Sequence, residues 1–229
     1  MADKNLVHEG DKAEIVIAKA KDFWVRNSKF ISIACVVVVL GVAGYFIYNN
    51  YIRKPKEIQS VDIMYKAEAY YRIDSLNLAL KGDGQYKGFL KVIDDYGGTD
   101  AGNLACYYAG VCYLKLDDNA NAIKYLKKFN TSSKPVQARV YKLLGDANGD
   151  LGKTADAVDY YKKAAHTFEE DKDGSAEALF LAGYLTDRVL KNQKEAIELY
   201  KELKEKFPRT KEGGEVDNYL AQLGVYNVN

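Results

Sequence analysis

Two stretches, NLACYYAGVCYLKLDDNANAIKYLKKF from Asn103 to Phe129 and ARVYKLLGDANGDLGKTADAVDYYKKA from Ala138 to Ala164, fall into register at a spacing of 35. Ala109-Gly110 aligns with Leu144-Gly145, Ala122 with Ala157, and Tyr125-Leu126 with Tyr160-Tyr161. A small residue on a first helix and another on a second let the two backbones approach, and aromatics four residues on fill the groove beside them. Neither helix can bury its apolar stripe alone, so stacked pairs make a solenoid with one continuous core.

Outward from these copies, AEALFLAGYLTDRVLKNQKEAIELYKELKEKFP from Ala176 to Pro208 carries Ala182-Gly183, Ala196 and Tyr200, with a turn about one residue longer. Pro208 stands where its second helix must stop. An earlier copy runs from Val61 to Tyr96, with Gly88 placed 34 before Ala122 and KGDG, Lys81 to Gly84, as a loosened turn. After Pro208, EVDNYLAQLGV predicts a last single helix over the open end of the stack. The sequence thus predicts three to four repeats and a cap over residues 57–225.

The 229 residues include only 3 Pro, with Ala, Leu, Lys, Glu and Tyr plentiful, which predicts an all-α class. Lys+Arg 33 against Asp+Glu 32 leaves +1, and bases alternate with acids along the helices, so a nucleic-acid partner is not expected. The 19 Tyr suit wedges between helices. Of the 3 Cys, Cys106 and Cys112 lie about 240° apart around one helix and cannot bridge within it. They read as small buried fillers.

Before the repeats, FISIACVVVVLGVAGYFI, Phe30 to Ile47, has no charge and spans roughly 27 Å as a helix, close to a bilayer core. Phe23, Trp24, Tyr45, Phe46, Tyr48 and Tyr51 supply interfacial rings on both sides. A transmembrane helix over 30–51 is expected, preceded by a tail, 1–29. A cleavable signal peptide, with Gly41-Val42-Ala43 as its small-residue site, is the rival reading. In the tail, Val16, Ala20 and Phe23, with Ile17 and Trp24, form the apolar stripe of a helix suited to the membrane surface.

Ala109-Gly110, Tyr113, Ala122, Leu144-Gly145, Gly152, Ala157, Tyr161, Ala164 and Ala196 with Pro208 resemble the tetratricopeptide pattern. The chain as a whole is similar to the ancillary subunit family of the bacterial Sec translocon. Lys21, Phe23, Asn27 and Lys29 match its approach to the anchor, while KGDG and the YGGTDAGNLA stretch, Tyr96 to Ala105, depart from it. The resemblance implies an inner-membrane protein with a cytoplasmic tail and periplasmic repeats, and as partners translocon subunits, a periplasmic chaperone or an unfolded, translocating polypeptide. Two other uses of such a scaffold fit the sequence: a structural component of an envelope assembly machine, and a cytosol-facing receptor for targeting chaperones, where free thiols are at home.

No nucleophile elbow, phosphate loop or metal-ligand spacing occurs, and the two His, His8 and His166, read as surface residues. The sequence therefore predicts a non-enzymatic protein with no cofactor and no metal. What remains is the inner face of the solenoid, where first-helix residues turned from the core line a groove for a peptide. These are Tyr70, Tyr107, Arg139, Lys142, Asp146, Tyr184, Asp187 and Arg188. Tyr107 and Tyr184 suit packing against a neighbouring repeat equally well.

Overall fold

The computed structural model describes residues 8–226, with side chains from Glu14 onward, so the side chain of His8 lies outside the described residues. The described chain is helical, with no strand beyond an isolated bridge between Gly82 and Lys87. It divides into two compact units, Met1–Pro55 and Lys56–Asn229.

The first unit holds α1 (His8–Ile47) and a π-helical segment (Tyr48–Arg53). Within Glu14–Arg72 lies one helix long and apolar enough to cross a membrane, and none of its apolar window is buried by protein. Such burial would be needed in water; in hydrocarbon the helix satisfies its backbone internally and its side chains meet lipid. Val16, Ile17, Phe23 and Trp24 are likewise exposed. The Asn27 amide turns back and donates to the Phe23 carbonyl at 2.9 Å.

The second unit is a row of helix pairs. α2 (Lys54–Arg72) goes with α3 (Leu76–Lys81) and α4 (Phe89–Tyr96), α5 (Asp100–Lys115) with α6 (Asn119–Leu126), α7 (Lys134–Asp150) with α8 (Thr154–Thr167), and α9 (Lys172–Arg188) with α10 (Gln193–Lys206). Each pair packs on the next, and α11 (Lys211–Gln222) closes the row against α10 and α9. The core runs along it, from Met64, Phe89 and Cys112 through Leu126 and Val140 to Leu179, Tyr200 and Leu220.

The turns inside the pairs share one geometry. Asp74, Asp117, Gly152 and Lys191 have φ of 57°, 57°, 71° and 58°, the left-handed stop that ends a helix and reverses the chain. Just after them the N–H groups of Ser75, Asp118 and Lys153 donate to the carbonyls of Tyr70, Tyr113 and Asn148, each at 2.9 Å. In the last pair Asn192 reaches back one residue further, to Thr186 at 3.0 Å, which is the longer turn expected from the sequence. Five residues beyond each stop sit Ala79, Ala122, Ala157 and Ala196, all fully buried.

This register corrects the first copy. The counterpart of Ala122 is Ala79, not Gly88, and KGDG is not the turn between the two helices. It belongs to an excursion, residues 82–88, that splits the second helix into α3 and α4, with Gly88 as the N-cap of α4. At Gly88 a Cβ would stand 2.4 Å from the Leu80 carbonyl oxygen, so the pinch admits no side chain.

The helices of a pair meet where a side chain enters the space of a missing Cβ. A Cβ at Gly110 would lie 2.6 Å from Leu126 Cγ, at Gly145 2.6 Å from Tyr161 Cε1, and at Gly183 2.7 Å from Tyr200 Cε1. Between pairs a second module recurs: Thr99, Asp171 and Thr210 cap the next helix by accepting from the N–H of Gly102, Gly174 and Gly213 at 3.0, 3.1 and 3.1 Å. Thus the YGGTDAG stretch is a cap whose relatives are FEEDKDG at Phe168 and FPRTKEG at Phe207. Further along the same joint, Glu57 of α2 accepts from the Asp100 N–H, the first residue of α5, at 2.9 Å.

Gly145→Ala is expected to destabilise the repeat domain by about 1–3 kcal/mol through overpacking against Tyr161. Gly149→Ala, one turn on with its nearest neighbour 3.9 Å away, is expected to be neutral or to stabilise by about 0.5–1 kcal/mol through helix propensity. Urea midpoints of the two variants check the contrast, and equal losses would refute the wedge.

Candidate partner-binding groove

The eight residues expected to line a groove all sit on first helices, and the fold distributes them over three places. Tyr70, on α2, donates to Asp83 Oδ2 at 2.6 Å. Asp83 takes the place four residues past Ala79 that Leu126, Tyr161 and Tyr200 fill elsewhere, so a hydrogen bond replaces a wedge in this pair. That bond holds the Asp83 carboxyl below its ordinary range and pushes the Tyr70 phenol up; the N–H groups of Tyr86 and Gln85 lower Asp83 further.

The middle place joins α5, α7 and α9. Tyr107 of α5 is half-buried, its ring 5.4 Å from that of Phe129 and 5.8 Å from that of Tyr108, and burial raises its phenol. Here the packing role is visible. On α7, Lys142 Nζ bridges Asp146 at 3.4 Å and Glu177 of α9 at 3.3 Å. Asp146 also accepts from the Tyr161 hydroxyl at 2.8 Å, and that phenol is raised by burial and by the carboxylate. Arg139 is exposed and makes no ion pair among the described residues. Arg139 and Lys142 line a cleft of about 410 Å³ between α7 and α9, with Val136, Phe168, Ser175 and Glu177 among its other walls.

The third place is the C-terminal end of α9. Asp187, expected in the groove, is only 6% exposed and holds Arg188 Nε at 3.0 Å. Arg188 in turn donates to Gln222 of α11. Tyr184 keeps 41% exposure beside Phe180 and Tyr219, with ring centroids 6.1 and 6.5 Å away. A partner could therefore reach Tyr184 and the outer face of Arg188, while Asp187 serves to orient the arginine.

A family model described as the tetratricopeptide repeat matches residues 105–132 and 177–210. The chain carries tetratricopeptide repeats. No curated protein matches the sequence. The matched stretches cover the α5–α6 and α9–α10 pairs, and the α7–α8 pair between them has the same left-handed stop, buried alanine and glycine wedge. Tetratricopeptide repeats are protein-interaction modules, so the repeats imply a scaffold for protein partners.

Phe168 and Glu177 lie in the cleft without having been singled out from the sequence. Glu177 had a legible signal, since it stands 38 residues after Arg139, the same step that separates Gly145 from Gly183. Phe168 had none, because its place in the cleft depends on the cap that starts at Asp171.

The depressed Asp83 carboxyl adds stability that is complete above its unfolded value of about 3.9 and is lost as pH falls through the lower folded value. Asp83→Asn should therefore lower the urea midpoint at neutral pH, and the gap from the parent chain should narrow toward pH 3 and below. A gap independent of pH would remove the Tyr70–Asp83 bond as its source.

Proposed function

We propose that the protein is a non-enzymatic adaptor of the bacterial inner membrane, held by one N-terminal helix, whose repeats face the periplasm and hold a translocating polypeptide or a chaperone beside the Sec translocon. The observation that carries this reading is the α7–α9 cleft. Its walls are apolar at Val136 and Phe168, and its rim offers one unpaired cation, Arg139, and one shared ion pair. Such a mixture suits weak, tolerant capture of an extended segment rather than tight recognition of one sequence.

Three further observations bear on the cellular setting. The helix within Glu14–Arg72 is suited to a bilayer. Lys21, Phe23, Asn27 and Lys29 stand at the places of the translocon ancillary subunit's approach to its anchor. Burial pushes the thiol of Cys106 up and that of Cys112 up to about 12, so both stay protonated and enclosed. Buried, weakly acidic thiols are inert, so the unpaired cysteines are compatible with an oxidising compartment as well as with the cytosol.

A photoreactive residue in place of Arg139 is expected to crosslink translocon subunits or exported chains in intact cells, and one in place of Lys201, exposed on α10, to give no such adduct. Recovery of neither partner class from position 139 would overturn the adaptor reading. A stoichiometric outer-membrane complex in its place would favour the structural alternative. Topology is checked separately: a cysteine at Asn229, but not one at Lys4, should react with a membrane-impermeant thiol reagent in whole cells, and the reverse pattern would place the repeats in the cytosol.

A further inference from the structure

From Asn119 to Gly145 the chain has Lys124, Lys127, Lys128, Lys134, Arg139 and Lys142 and no acidic residue, although its total charge is only +1. The expectation that bases and acids alternate along every helix fails on α6. The fold treats this run unevenly. Lys142 is neutralised in the cleft by Asp146 and Glu177. On the other side of the pair, Lys124, Lys127 and Lys128 are exposed, and Lys163 of α8 joins them. Among the described residues none of these four ammonium groups makes an ion pair. Asp159, one turn before Lys163, makes none with it, and Lys162 is taken up by Glu195 at 3.0 Å.

Instead, the four lysines lie over tyrosine rings. Lys124 and Lys128 stand 5.2 and 5.4 Å from the centroid of Tyr125. Lys127 and Lys163 stand 5.8 and 5.1 Å from that of Tyr160. Lys127 crosses from α6 to a ring on α8, so the two repeats present one surface. The rings are themselves fixed, Tyr125 stacked on Tyr113 at 5.5 Å and Tyr160 beside Tyr141 at 6.3 Å. A carboxylate would hold a lysine and cancel its charge; a tyrosine face holds it and leaves the charge to act outward.

We propose that the lysine face of α6 and α8 rests on anionic lipid headgroups of the membrane that carries the chain's own N-terminal helix. This rests on the anchor proposed above. Lysine ammoniums are compact, strongly hydrated point charges, suited to a fluid field of phosphates, whereas recognition of a fixed carboxylate favours the arginine fork. Tyrosine, apolar in body and wet at its hydroxyl, belongs at headgroup depth. Anchoring confines the repeats to one membrane and removes the search through solution, so a small patch suffices. An acidic protein partner is the competing occupant, and the tether gives it no such advantage.

The test uses the full chain in nanodiscs of phosphatidylcholine, neutral or with about one third phosphatidylglycerol, and follows acylation of each lysine by mass spectrometry. Lys127, Lys128 and Lys163 should react about threefold or more slowly in anionic discs, and the difference should vanish at about 1 M salt, where the screening length falls to about 3 Å. Lys191 and Lys201, exposed on the last pair, should react alike in both. In a variant with Lys124→Gln, Lys127→Gln, Lys128→Gln and Lys163→Gln, amide exchange across α6 should no longer depend on lipid charge. A chain that inserts but is acylated equally in both discs overturns the proposal alone. Slowing that needs an added acidic protein and ignores lipid charge overturns it in favour of that partner. A chain that never enters the discs removes the anchor and the proposal together.

Discussion

At Gly110, Gly145 and Gly183 the first helix of a pair admits a side chain of the second into the volume a Cβ would occupy, with separations of 2.6 to 2.7 Å to the hypothetical atom. Most of the repeat domain follows from that approach. It demands a reversal tight enough to bring the helices together, which the left-handed residue supplies, and a small buried residue opposite, which the alanine five positions later supplies. The remaining faces of the two helices are then left to the neighbouring pairs, so each pair completes the core of the next.

The pairs are not equivalent. Tyr161 enters beside Gly145 and finds Asp146 for its hydroxyl at 2.8 Å. Tyr200 makes the same entrance beside Gly183, but the next residue is Tyr184, and the neighbouring Asp187 carboxylate is committed to Arg188. The hydroxyls of Tyr200 and Thr186 are buried without a protein partner among the described residues. The extra residue in the turn at Lys191 accompanies this loss, and Lys191 adopts a positive φ without being glycine. Against this, α11 adds Val216, Leu220 and the ring of Tyr219 to the last core, which makes the closing helix integral to the final pair.

The fold was legible wherever a contact recurred at fixed spacing. Gly145 and Tyr161 announce one another because they meet at one contact, Gly149 and Ala157 approach one turn on, and the copy at Asn103 repeats the spacing with Gly110, Ala122 and Leu126. The first pair was misread because glycine is ambiguous in a sequence: Gly88 sat near the expected distance from Ala122, yet it serves a pinched turn, and the residue that packs is Ala79. The site was legible as a face and less so as residues. Helical phase sets Arg139 and Lys142 one turn apart on α7, and both line the α7–α9 cleft. It could not show that Asp187 turns inward to hold Arg188, because that depends on Gln222 of a helix thirty-odd residues away. Charge alternation, a property averaged over the chain, concealed the acid-free run through α6.

The hydrogen bond from the Asp100 N–H to Glu57 joins the foot of α2 to the first residue of α5. It also sets a carboxylate at the positive end of the α5 dipole. Between those two points the covalent chain passes through α3, the excursion at 82–88 and α4, the most interrupted course in the repeat domain. The bond is a bypass around it. A pull delivered along α2 would be passed to the α5–α6 pair at its root, while the split helix, shunted out of the line of force, could flex without disturbing the spacing of the pairs beyond it.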